Sequence, residues 1–373
     1  MKDAELYIGV MSGTSMDGVD CALVSIKNGQ TTLLDHDFTP MPHELKEQLL
    51  AVCLNQATNI ETIGRLDHQL GHLFADAVLS LLEKSNTKPS DVCAIGNHGQ
   101  TLFHQPTGPT PFTMQLGDAN IIATITQITT IADFRRKDLA LGGQGAPLVP
   151  AFHRALFEAQ DASVVVLNIG GISNISVLHP DNPLVGYDTG PGNMLMDAWI
   201  NVQQGKKYDH NAEFALSGNV NNALLNQFLE EPYLSLSPPK STGRELFNLD
   251  WLNAQLTRFA SQQNLAPCDI QATLTEFTAV SIANEVRKYA HGTQPELVVC
   301  GGGACNPLLM QRLQKSLPDW LVGTTSNKGV DSDYMEAMAF AWLAYRRQHN
   351  LPSNVPEVTG ASQLASLGVI YPA

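Results

Sequence analysis

Leu6-Tyr7-Ile8-Gly9-Val10-Met11-Ser12-Gly13-Thr14-Ser15-Met16-Asp17-Gly18-Val19-Asp20-Cys21-Ala22-Leu23-Val24-Ser25-Ile26 reads as an apolar strand, a small-residue loop and a second apolar strand. Strand-favouring residues flank a turn rich in Gly, Ser, Thr and Asp, which is the pattern of a β-hairpin. The arrangement returns at Ser163-Val164-Val165-Val166-Leu167-Asn168-Ile169-Gly170-Gly171-Ile172-Ser173-Asn174-Ile175-Ser176-Val177-Leu178. Two matched hairpins imply two similar halves. A third apolar strand, Glu296 to Cys300, runs into Gly301-Gly302-Gly303 and then Asn306-Pro307. The spacing of Leu308, Leu309, Met310 and Leu313 predicts a helix there, whose first turn tolerates Pro307 because its missing N–H is no loss.

Outward from these hairpins, strands and helices alternate. From Asn59 to Lys84 the apolar residues Ile60, Ile63, Leu66, Leu70, Leu73, Ala77 and Leu81 recur at three- and four-residue spacing, which predicts a helix with one buried face. Pro89 and Ser90 break it, and Val92 to Ile95 starts a strand. Pro147 to Phe157 reads as a helical crossover between the halves, and Met335 to Ala344 as a small-residue helix suited to close packing. This is an α/β class with helix-covered sheets. A length of 373 residues, at roughly 150 per domain, implies two domains with a cleft. Their expected extents are 1–145 and 146–373, with the C-terminal tail packing back on the first.

Composition excludes several classes. Apolar residues make up 43% and charged ones 16%, enough for a large core and unlike a disordered chain. The net charge of −14, from 36 acids against 22 bases, repels phosphate backbones and argues against nucleic-acid or anionic-membrane partners. Six cysteines without a CxxC pair fit reduced thiols in the cytoplasm. The start lacks the pattern of a secretory signal, and no run approaches the ~20 apolar residues that cross a bilayer.

The three Gly-rich strand ends are the first candidates for chemistry. Backbone amides freed of bulky side chains can point at phosphate oxygens, and Asp17 adds a carboxylate able to hold Mg²⁺. Each cluster is equally readable as a tight turn. No GxxxxGK[ST] motif is present, and Gly143-Gln144-Gly145 lacks the third glycine of the dinucleotide fingerprint. Asp188, in Tyr187-Asp188-Thr189-Gly190-Pro191-Gly192-Asn193, is either a general base at a strand end or a turn-forming, helix-capping acid. Arg135 and Arg136 form a basic knot that suits a carboxylate or phosphate, or else a solvated run. His98 is packed or faces substrate, and zinc is disfavoured because further ligands are missing at tight spacing. Glu336 is an exposed helical acid or a cleft acid beside the third Gly-rich element.

Taken as strings, these residues resemble the anhydro-N-acetylmuramic acid kinases of bacteria. GVMSGTSMDGVD (Gly9 to Asp20), NHGQT (Asn97 to Thr101), ADFRR with GGQGAPLVP (Ala132 to Pro150), NIGGISN (Asn168 to Asn174), DTGPGN (Asp188 to Asn193), CGGGACN (Cys300 to Asn306), EAMAFAWLA (Glu336 to Ala344) and VTGAS (Val358 to Ser362) match that family's pattern. The resemblance implies an actin-like, ribonuclease H-like duplicated fold with two lobes and ATP between them. It implies conversion of 1,6-anhydro-N-acetylmuramic acid, ATP and water to N-acetylmuramic acid 6-phosphate and ADP, in cell-wall recycling. Asp188 would be the base that deprotonates the water. Gly13, Thr14, Ser15, Met16, Asp17, Gly18, Val19 and Asp20 would form the ATP loop, with Asp17 toward magnesium. Gly170, Gly171, Gly301, Gly302 and Gly303 would complete the nucleotide site. Arg135 and Arg136 would meet the sugar's lactyl carboxylate, with His98 and Glu336 as secondary substrate contacts. A homodimer is implied by the resemblance alone. The rival classes are an ATP-driven conformational switch on the same fold and a glycosidase working without ATP.

Overall fold

Strand β1 (Glu5–Ser12) pairs antiparallel with β2 (Gly18–Lys27), from Glu5↔Ile26 to Met11↔Asp20, so the opening stretch forms the expected hairpin. The computed structural model describes residues 4–13, 15–53, 58–157, 159, 161–238, 240–260, 265–328 and 330–373. Strand β2 continues into β3 (Gln30–Pro40), and β1 lies parallel to β4 (Val92–Gln105). Strand β5 (Phe112–Leu116) folds back on β4, while β6 (Thr130–Ala132) runs parallel to it and β12 (Val369–Tyr371) antiparallel to β6. The order is β12-β6-β4-β1-β2-β3.

Alternation along β1 explains why its residues are nearly all buried. Ile8 and Val10 enter a core with Leu66, Leu70, Phe74 and Leu81 from the helix Ile60–Lys84, whose first turn is capped by Asn59 accepting the Thr62 N–H at 2.8 Å. Gly9, on the opposite face, meets the helix Met335–Gln348: a Cβ there would overlap the Ala337 carbonyl oxygen, and one on Gly96 of β4 the Phe340 carbonyl oxygen. The alanines of this helix bring its backbone onto the sheet, and the glycines leave it room.

A second sheet repeats the plan. Strand β7 (Val164–Ile169) pairs antiparallel with β8 (Ile172–Leu178), and β8 with β9 (Val185–Pro191). Strand β10 (Glu296–Cys300) lies parallel to β7, and β11 (Leu321–Thr324) parallel to β10. The order β11-β10-β7-β8-β9 matches β6-β4-β1-β2-β3 strand for strand. Each sheet thus carries the same five-strand plan, the duplication that the two matched hairpins imply. Its core gathers Val165, Leu167, Ile175, Phe228, Phe277 and Leu309 among others.

The chain divides into two compact units, Met1–Leu156 with Tyr334–Ala373, and Phe157–Asp333. The first unit runs eleven residues past the expected boundary at 145, and the C-terminal segment that packs back on it begins at Tyr334. The reason is packing that sequence separation hides. The helix Val149–Leu156 sets Phe152 against Trp342, with ring centroids 5.9 Å apart, and β12 completes the first sheet's edge. Among the described residues, no helix is long and apolar enough to cross a membrane.

Because the added methyl has a backbone carbonyl in its way, Gly9→Ala is expected to lower the unfolding free energy by about 3 kcal/mol. Urea unfolding reads this directly; an unchanged midpoint would exclude so close an approach.

Candidate active site

The parallel pairing of β1 and β4 places Ser12 opposite Gln100, both fully buried. Ser12 donates its hydroxyl to Gln100 Oε1 at 2.7 Å and also reaches the Gly18 carbonyl at 3.0 Å. Gln100 Nε2 in turn donates to the Gly13 carbonyl at 3.3 Å. The loop from Gly13 to Gly18 is thereby tied down at both ends by side chains of the sheet. Within it Met16 is buried with a left-handed φ of 52°, and Ser15 is exposed. Asp17 is 57% exposed and bonds Lys46 Nζ at 2.7 Å. Val19 is buried and Asp20 partly so, facing Met11 and Phe38 in the ladders. Thr14 lies outside the described residues.

His98, Arg135 and Glu336 come together in the same unit. Arg135 donates to His98 Nε2 from Nε at 3.2 Å and Nη2 at 2.9 Å, and from Nη1 to the Gly145 carbonyl at 2.8 Å. His98 therefore accepts at Nε2, and burial together with the Arg135 charge holds its pKa well below the ordinary range, so the ring is neutral. Burial lowers Arg135 to about 10 while Glu336 opposes the shift, and burial raises Glu336 while Arg135 opposes it. Glu336 thus neighbours Arg135 of the first unit. Arg136 parts company with this group. It is 65% exposed, pairs with Asp133 at 2.6 Å, and lines a cavity of about 250 Å³ with Asp67, Asn97, His98 and Tyr371.

Behind Arg135 stands Asp138, with no exposed surface. Its Oδ2 accepts the Gly145 N–H at 2.8 Å, and Oδ1 accepts Thr359 Oγ1 at 2.9 Å and Asn354 Nδ2 at 3.1 Å. One carboxylate thus binds the Gly-rich loop and the C-terminal VTGAS segment, and the loop's Gly145 carbonyl holds Arg135.

In the second unit, β7 and β10 end side by side, with Asn168 opposite Cys300. Gly301 turns with φ of 78°, and a Cβ there would strike Asn168 Oδ1, so glycine is required twice over. Amides of Gly192, Asn193 and Met194 donate to the carbonyls of Gly171, Gly170 and Gly171 at 2.9, 2.8 and 3.1 Å. Asn193 Nδ2 donates to the Ile169 carbonyl at 3.2 Å. The segments around Gly170–Gly171 and Gly192–Asn193 are therefore hydrogen-bonded together, and Gly301 and Gly303 lie close against Asn168 and Ile169 beside them.

Asp188 sits on β9 opposite Asn174. Its Oδ2 accepts the Ser241 hydroxyl at 2.8 Å and the Thr242 N–H at 3.0 Å, while Tyr233 donates its hydroxyl to the Asp188 carbonyl at 2.7 Å. Burial raises the carboxyl pKa, the Thr242 and Ser241 hydrogen bonds oppose that rise, and nearby Glu245 adds to it. Both side-chain bonds fall on one oxygen, which orients the other. Among the described residues, no group of three His, Cys, Asp or Glu forms a ready metal cage.

Ser241, Thr242 and Asp138 were not singled out in the sequence. The run Lys240-Ser241-Thr242-Gly243 echoes the small hydroxylic character of the first loop, but nothing local says that it caps a residue more than fifty positions earlier. Asp138 reads as one charge in a polar run until the nearby Gly145 amide and two distant donors, Thr359 and Asn354, converge on it.

The anhydro-N-acetylmuramic acid kinase family model matches residues 5–373. A Vibrio vulnificus (strain YJ016) protein named anhydro-N-acetylmuramic acid kinase is 65% identical over 372 residues, spanning 100% of both chains. Its namesake from Vibrio parahaemolyticus is 65% identical over 371 residues, 100% of this chain and 99% of that one. The Vibrio cholerae protein of the same name is 61% identical over 371 residues, with the same coverage.

Asp138→Ala leaves three buried donors without their acceptor and is expected to cost about 3 kcal/mol or more. Urea unfolding and hydrogen exchange at the Gly145 amide check this. Wild-type stability with undiminished protection would refute the anchoring role.

Proposed function

The chain belongs to the anhydro-N-acetylmuramic acid kinase family, and from that membership we propose that it uses ATP and water to convert 1,6-anhydro-N-acetylmuramic acid to N-acetylmuramic acid 6-phosphate. The observation that carries the reading is Asp188, a partly buried carboxyl with a raised pKa and one oxygen left to take a proton. In the anhydro-sugar, O6 is tied to C1 and has no proton to surrender, so a base must act on something else. Asp188 deprotonates a water, whose oxygen bonds to C1 as the C1–O6 bond breaks. O6 takes the γ-phosphoryl group, ADP leaves, and the water's proton rests on Asp188.

The Gly13–Asp20 loop and the surface of Gly170, Gly171 and Gly301–Gly303 are proposed to hold the nucleotide, their amides meeting phosphate and their missing side chains admitting the ribose and base. Magnesium fits a donor set of isolated carboxylates, because Mg²⁺ usually takes one or two of them and fills its remaining positions with water and phosphate. Asp17 would hold it, giving up its contact with Lys46, and the ion would supply charge neutralisation at the phosphates. Arg135, preset by His98 and Gly145, is proposed to bind the lactyl carboxylate, with Arg136, His98 and Glu336 as further substrate contacts. We place the reaction in the cytoplasm, where ATP is made and the six free thiols stay reduced.

Run in ¹⁸O-water, the reaction is expected to yield product labelled at C1 and phosphorylated at O6, read by mass spectrometry. Label on phosphate, or ADP formed at a rate indifferent to the sugar, would overturn the coupled mechanism. Asp188→Asn should lower kcat by about 10²–10⁴-fold while ATP still binds. Since the base must be ionised, wild-type kcat should fall as pH drops through a value above the ordinary carboxylate range, and the residual turnover of the Asp188→Asn variant should lack that limb. Near-normal turnover would remove Asp188 as the base.

A further inference from the structure

Lys240 and Glu285 form an ion pair at 3.0 Å whose side chains are 2% and 3% exposed. Removing two charges from water costs several kcal/mol each, and apolar side chains of the same volume commonly serve stability as well or better. Stability therefore does not account for the pair, and its connections show another use. Lys240 Nζ also reaches the carbonyls of Tyr233 and Leu234 at 3.5 and 3.4 Å, and lies 5.0 Å from the Tyr233 ring centroid. Glu285 Oε2 accepts the Tyr187 hydroxyl at 2.8 Å and Lys288 Nζ at 2.6 Å.

These contacts bracket Asp188 without touching its carboxylate. Tyr187, which precedes it on β9, is tied to Glu285. The Lys240 carbonyl accepts the Asp188 N–H at 3.3 Å, and the next two residues supply both donors to Asp188 Oδ2. Tyr233, whose carbonyl lies against the Lys240 ammonium, donates to the Asp188 carbonyl. We propose that Lys240 is a positioning residue for Asp188: its buried pairing with Glu285 anchors the 240–242 segment so that Ser241 and Thr242 grip one carboxylate oxygen. The catalytic consequence rests on Asp188 being the base.

The action runs through the backbone, because Glu285 already neutralises the Lys240 charge. The groups facing Asp188 are Glu245, a like charge; Tyr233, whose phenol burial keeps protonated; the Ser241 hydroxyl; and neutral Asn174 across the ladder. Loosening the 240–242 segment weakens the two bonds that favour the ionised carboxylate and leaves burial and Glu245 to raise its pKa further.

The test is the ¹³C NMR titration of the Asp188 carboxyl, identified by its loss in Asp188→Asn, together with the pH profile of kcat and the KM for ATP. In Lys240→Met, where Glu285 keeps Lys288 and Tyr187, the carboxyl and the acid limb should both move up by about one pH unit. At a fixed pH on the acid limb kcat should therefore fall roughly 10-fold, with KM for ATP changed less than about 2-fold. Ser241→Ala should shift the carboxyl the same way, and the double variant should shift it less than the sum, because both act on one grip. Should Lys240→Met not fold, Glu285→Gln decides, with a smaller shift in the same direction. A carboxyl that titrates at its wild-type pH in the folded variant, or fully additive shifts, would overturn the proposal. Full turnover by Asp188→Asn would instead sink the base assignment, while the titration would still decide whether Lys240 holds the carboxylate.

Discussion

The parallel ladders of β1 with β4 and of β7 with β10 oblige each pair of strands to end on the same edge of its sheet, and the glycine-rich segments leave from those ends. Open α/β sheets bind ligands outside the carboxyl ends of such strands, because helices cover the faces and the loops there are free to vary. Here the constraint is tightened by approach distance. The helix Met335–Gln348 lies so close that β1 and β4 each need a glycine beneath it, and it brings Glu336 to Arg135. The same helix that closes the first sheet therefore also furnishes an acid to the candidate site.

Both candidate regions use burial to set charge, and they set it in opposite ways. Around Arg135, burial and a neighbouring cation keep His98 neutral, so that the ring accepts two N–H groups and the guanidinium is held in one orientation. Around Asp188, burial pushes toward the protonated acid while one hydroxyl and one amide push back. A carboxyl whose pKa is raised in this manner holds a charge yet binds a proton more readily than an ordinary one, which suits a base. The balance depends on where the 240–242 segment lies, which links the proposed base on β9 to a buried ion pair.

Much of the architecture was legible in the chain. The two hairpins, the Asn59-capped helix, the strand before Gly301 and the small-residue helix at Met335 carry local signals: period-two or period-3.6 burial, turn residues and caps. Asp188 and the glycine clusters drew notice by their place at strand ends, but each was also readable as a turn or cap, and only the match of whole motifs gave them expected roles. The hydrogen bonds joining the segments around Asn193 drew none, since bonds between backbone groups leave no mark on residue type. Nor could adjacency separate Arg135 from Arg136, one inward on His98 and the other outward on Asp133.

By itself the sequence determined the α/β class, the duplication, the family and the residue types available for phosphate and proton chemistry, because each of these is written in local pattern or in whole motifs. Tertiary structure alone decided that the segment returning to the first unit begins at Tyr334, that Asp138 holds Thr359 and Asn354, and that Ser241 and Thr242 grip Asp188. Those contacts join positions far apart in the chain, and they exist only when several buried polar groups find one another at once, a condition that no local stretch can encode.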